Sequence, residues 1–138
     1  MDIDLRNRLR IEWMVIADFA EVVSGKLYLM GGGWDILNGE SLPIIRMLGL
    51  AIACRVPWNE TNQPHLLEFE LQDADGKMIA KGGAHFEVGR PPGIPNGQEQ
   101  RFQVAINIPA VLETAGVYRV LTRVGDDESD TTFRVVAD

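Results

Sequence analysis

Apolar and polar residues alternate with a period of two along most of this chain from residue 11 onward, and no long stretch repeats apolar residues at helical spacing. The pattern predicts an all-β domain. Glu12 to Ala20 is a first extended run, Ser24-Gly25 a turn, and Lys26 to Met30 a second run ending at Gly31, Gly32 and Gly33. After a loop holding Asn38-Gly39 and Pro43, Leu48, Leu50, Ile52, Cys54 and Val56 share one parity, while Gly49, Ala51, Ala53 and Arg55 share the other. One face of this strand should be buried, and the other is almost bare. Polar residues normally occupy the exposed parity of a sheet, so the Gly49, Ala51, Ala53 face is expected to be covered by another element or another subunit.

Farther on, Leu67, Phe69 and Leu71 point inward, and Asp73-Ala-Asp-Gly76 supplies a type I turn with a glycine at its end. The returning strand, Lys77 to Val88, keeps phase only with an extra residue, which the reading places as a bulge at Gly82-Gly83. A proline- and glycine-rich loop spans residues 89–97. Strands follow through Phe102, Val104, Ile106 and Ile108, through Tyr118, Val120, Thr122 and Val124, and through 131–136. Pro109 and the stretch Glu113-Thr-Ala-Gly-Val-Tyr118 lead into the second of these. About eight short strands between turns predict a β-sandwich, and this final pair matches the closing strands of an immunoglobulin-like Greek key, with Tyr118 as its corner tyrosine. A jelly roll is the alternative. Residues 1–10 read as an N-terminal extension and 11–138 as one domain.

Three motifs occur in order: Leu29-Met-Gly-Gly-Gly-Trp-Asp35, Val56-Pro-Trp-Asn-Glu-Thr-Asn62, and Phe86-Glu-Val-Gly-Arg-Pro-Pro-Gly93 with Gln100-Arg101. They resemble an uncharacterised bacterial family, domain of unknown function 6941, over roughly residues 12–138. The resemblance implies a fold and a bacterial setting, and it implies no activity.

Composition narrows the function classes. Twenty acidic against thirteen basic residues leave a net charge of -7, which repels nucleic acid and anionic lipid at long range. With one cysteine there is no intrachain disulfide, and the charged start contains no apolar signal core, so a cytoplasmic location is expected. Ser24, Ser41 and Ser129 sit beside turn residues and outside any nucleophile elbow, and Cys54 faces the core, where a thiol is inert. His65 and His85 fall on opposite parities, which disfavours a shared zinc. The acidic tip Asp126, Asp127, Glu128, Asp130 and the pair Asp73, Asp75 match no calcium-loop spacing. The triple glycine lacks the lysine and helix of a phosphate loop. No enzyme activity, metal or cofactor is expected.

The remaining candidates form a surface for recognition. Trp34 and Trp58 stand where strands give way to loops, as core plugs or as a stacking platform. Arg90, Pro91, Pro92 and Arg101 surround a loop stiffened by proline, with Glu87 and Glu99 available to neutralise the arginines, or with the arginines free to grip a partner's carboxylate. The expected role is therefore a non-enzymatic protein-interaction or self-association module. The alternative is a small-ligand or carbohydrate binder built on the two tryptophans.

Overall fold

The computed structural model describes residues 7–138. Its strands are β1 (Arg10–Val23), β2 (Lys26–Gly32), β3 (Ile36–Gly39), β4 (Ile44–Val56), β5 (His65–Gln72), β6 (Met78–Phe86), β7 (Gln100–Leu112), β8 (Gly116–Val124) and β9 (Asp127–Ala137). They make two sheets packed face to face, ordered β2-β1-β4-β7 and β3-β9-β8-β5-β6. The chain visits the second sheet briefly at β3, then crosses again after β4, β6 and β7, so β4 pairs with β7 in one sheet while β5, β8 and β9 lie together in the other. That is the connectivity of an immunoglobulin-like sandwich and not of a jelly roll. Leu50, Ile52 and Val56 from one sheet and Leu67, Leu71, Tyr118 and Phe133 from the other fill the core between them.

Strand edges differ from the sequence reading for local reasons. The segment read as a loop around Asn38 contains β3, which is four residues long and pairs in parallel with β9. So short a run, ending in Asn-Gly, carries the signature of a turn. Strand β4 begins at Ile44, four residues before the first clean alternation, because Arg46 occupies an inward parity and breaks the pattern. Strand β7 runs on through Pro109 to Leu112, which is tolerated because β7 ends its sheet and Pro109 needs no outer partner.

The β5–β6 hairpin turns as expected, with the Asp73 amide donating to the Lys77 carbonyl at 2.8 Å. The extra residue lies next to this turn, between the pairs Leu71–Ala80 and Gln72–Met78, and not at Gly82-Gly83. Those glycines serve a different purpose. Phe69 pairs with Gly82 and lays its ring over it, so that a Cβ there would meet the ring at 2.6 Å. Packing of the domain also starts earlier than residue 11: Leu9 belongs to the core and Arg8 donates to Asp127 at 2.9 Å. Residues 1–6 of the expected extension lie outside the described residues.

The bare parity of β4 has a specific cover. Strand β1 pairs with β4 from Arg10 to Ala17, then leaves it and runs with β2 as a hairpin lying on the outer face of β4 and β7. Asn107 on β7 fastens it, its Nδ2 donating to the Ala20 carbonyl at 2.8 Å and its Oδ1 accepting from the Ala20 amide at 3.1 Å. At the hairpin turn Gln103 donates to the Gly25 carbonyl at 3.1 Å. Gly49 must lack a side chain, since a Cβ would come within 2.9 Å of the Phe19 backbone. Ala17, Ala20, Ala51 and Ala53 are completely buried as a result. The expected covering element is this hairpin, a third layer supplied by the chain itself.

Candidate interaction surface

The loop that suggested a working surface joins β6 in one sheet to β7 in the other, so it is a crossover and not a hairpin. Its length follows from the gap it spans. At its start Arg90 lies flat on the Trp58 ring, with the guanidinium carbon 3.8 Å from the centroid. The same guanidinium donates to Thr61 Oγ1 at 2.7 Å and to the Trp58 carbonyl at 2.9 Å. Stacking and hydrogen bonds together fix the loop's origin against the short 3-10 turn Trp58–Glu60. Pro91 and Pro92 are exposed just beyond.

Arg101 is held elsewhere, by two hydrogen bonds to Glu12 on β1 at 2.7 and 2.6 Å. Glu99, the expected neutraliser, pairs instead with Arg10 at 3.0 Å and Arg55 at 3.1 Å. Glu87 is exposed. Three strands of the four-stranded sheet are thus laced by a ladder of arginines and glutamates. Hydrogen bonds from Arg101 hold the Glu12 carboxyl below its ordinary range, and those from Arg10 do the same for Glu99, against the opposing effect of burial.

Trp34 packs edge-on against Phe133, 5.5 Å between centroids, and Arg46 lies over its ring at 5.4 Å while donating to Asp18 at 2.6 Å. Its indole nitrogen is buried without a partner among the described residues. Trp34 is a plug between the sheets. One face of Trp58 is taken by Arg90. The two rings therefore do not form a common open platform for a sugar.

Cys54 is fully buried, and burial first, with the negative charge of Asp127 second, pushes its thiol up to about 12. His65 faces the core side against Phe86, with Nε2 2.7 Å from the Glu60 carbonyl, whereas His85 is exposed on the opposite face. At the acidic tip, Asp127 accepts from Arg8 and the Ile11 amide, Glu128 pairs with Arg123, and Asp130 pairs with Arg119.

What the structure exposes instead is an apolar flank that the alternation did not reveal. On the outward parity of β4, Ile45 is 74% and Met47 49% exposed, and they pair with Val111 and Pro109 of β7. The β1–β2 hairpin stops short of these rows, at Gly49 and Asn107. Pro109 and Val111 also line a cleft of about 350 Å³ toward β6, where Met78 and Ile79 form the opposite wall and Asp73, Lys77 and Glu113 the rim. The apolar surface is continuous around the β7 edge. Only the parity of Ile45 and Met47 could have revealed it, and Arg46 between them concealed the strand.

A family model described as "Family of unknown function (DUF6941)" matches residues 12–136, from the Glu12 rung of the ionic ladder to the last strand. The chain belongs to that family. All three motifs that carried the resemblance fall inside the match, and in this DUF6941 domain each makes a contact within the fold: the glycines end β2, Trp58 receives Arg90, and Arg101 locks onto Glu12. A comparison with curated proteins returned no match. Among solved structures the DUF6941 chain is similar to "The structure of a beta-glucuronidase from glycoside hydrolase family 2", at 15% identity and a TM-score of 0.44. That likeness covers 90% of this chain and 12% of the other, and at this level it carries no functional argument.

Proposed function

We propose that this domain is a non-enzymatic protein-interaction module, acting in the bacterial cytoplasm, that docks through the apolar flank formed by β4, β7 and the rim of β6. The observation that carries the reading is the outward row in which Ile45, 74% exposed, pairs with Val111, 48% exposed. Exposed apolar patches of this kind mark contact surfaces, because leaving them in water costs roughly 25 cal/mol per Å². Arg90 and Trp58 hold each other at the loop's origin, Arg101 is engaged by Glu12 and Trp34 packs on Phe133, which leaves the flank as the surface with spare binding capacity. The test is quantitative recovery of proteins with the tagged domain from its own cell, comparing the wild type with an Ile45→Glu, Val111→Glu variant. The reading expects a defined partner lost from the variant while its melting temperature stays near that of the wild type, since surface substitutions usually act within about 0.5 kcal/mol. A partner retained equally by both, or none recovered above control by the wild type, contradicts it.

A further inference from the structure

Four strands end the two sheets, and three of them carry features that discourage pairing with another chain. Strand β7 contains Pro109, β6 has Lys81 and two consecutive glycines at its centre, and β3 is four residues long. Strand β2 keeps its lysine and its two glycines at its ends, Lys26 at the start and Gly31-Gly32 at the close, so its centre carries none of these. Its run Leu27-Tyr-Leu-Met30 holds no proline and no charge, six of its seven residues are exposed, and the outward side of its hairpin carries Phe19, Tyr28 and Met30. Met30 alone is 67% exposed. The inner edge of the hairpin is already satisfied, since the Asn107 side chain bonds both polar groups of Ala20. Among the described residues, the outer edge along β2 is the one left open.

We infer that β2 pairs antiparallel with β2 of a second copy of this chain, giving a two-fold dimer. This goes beyond the proposed docking flank, because it uses a different surface. Self-pairing fits for two reasons. An antiparallel pair about a perpendicular two-fold places residues of equal parity opposite each other, and a register centred on Leu29 sets Tyr28 of each copy against Met30 of the other. Phe19, the neighbour of Met30 across the hairpin, extends the apolar strip on both sides of the axis. The ends of the strand are also complementary in charge. Lys26, which has no ionic partner among the described residues, opens β2, and the Asp18 carboxylate, whose Oδ1 accepts from Arg46 of its own chain at 2.6 Å, turns its Oδ2 toward Gly31 at the close of the strand. Reversal of the strand brings the lysine of each copy toward the carboxylate of the other, where the approach of two like ends in a parallel pair would not.

Sedimentation across a concentration series tests the pairing, with Met30→Lys to place a charge in the strip and Leu29→Cys to place a thiol on the axis. The wild type should double its mass with concentration, and Met30→Lys should weaken association roughly tenfold or more while leaving the melting temperature unchanged. With oxidised glutathione, Leu29→Cys should cross-link to a dimer faster than an Ile45→Cys control, because Cys54 is buried and the new thiols meet across the axis. A wild type that stays monomeric at every concentration overturns the inference. So does association unaffected by Met30→Lys together with cross-linking of the Leu29→Cys variant no faster than that of the control. The Ile45→Glu, Val111→Glu variant should keep the dimer, so loss of the partner and loss of the dimer are separate results.

Discussion

The outer faces of the two sheets solve the same problem in opposite ways. On the five-stranded sheet, the outward face of β5, β8 and β9 carries charged residues that pair across strands, Arg123 with Glu70 and Glu128 and Arg119 with Asp130, alongside the exposed Leu66 and Val117. Water is a good neighbour for that face. On the four-stranded sheet the outward residues of β4 shrink to Gly49, Ala51 and Ala53, and the β1–β2 hairpin lies on them close enough for backbone to touch backbone. Small residues on an outward parity therefore mark a covered face, and where the cover ends, at Met47 and Ile45, the side chains become large and apolar again. The change along one strand from small to large divides what the chain covers itself from what it leaves open.

The covered face is most vulnerable at Gly49. Gly49→Val pushes a side chain into the Phe19–Ala20 backbone, and overpacking at a contact without slack is expected to cost about 3 kcal/mol or more, measured by denaturant unfolding. Removing one charge from the other face is the matched control. Arg119→Ala deletes an exposed pair and should change stability by less than about 1 kcal/mol. If the two substitutions prove equal, the hairpin is not a packed layer. A smaller effect sharpens the account from inside the core: Tyr118 donates to the Thr114 carbonyl at 2.8 Å, tying the approach to β8, and Tyr118→Phe should cost on the order of 1 kcal/mol with the fold retained. An unchanged melting temperature for that variant would count against the corner as a stabilising tie.

The inward alternation of β4, β5, β7 and β8 made the sandwich legible in the sequence, as did the inward Cys54 and the hydroxyl tie of Tyr118. What stayed hidden depended on distance in three dimensions. Nothing near Glu12 announces Arg101, 89 positions later, because an ionic rung that reaches from β1 across β4 to β7 obeys no sequence spacing. The stacking of Arg90 on Trp58 is hidden for the same reason: it crosses a loop of one sheet to the exit of another. The apolar flank escaped because one inward arginine, Arg46, broke the period that would have extended β4. The need for a cover on Gly49, Ala51 and Ala53 was readable, but its source was not, since the bend that turns β1 across the sheet leaves no mark in an otherwise continuous alternation.

Native-state hydrogen exchange at the Ala20 amide tests the covered face most directly, because this proton's partner is the Asn107 side chain across the layer. The account predicts slow exchange at Ala20 in the wild type and a selective loss of that protection in Asn107→Leu, with Val120 in the five-stranded sheet unaffected. Exchange at Ala20 as fast as in an unstructured peptide, or protection that survives Asn107→Leu, would contradict it.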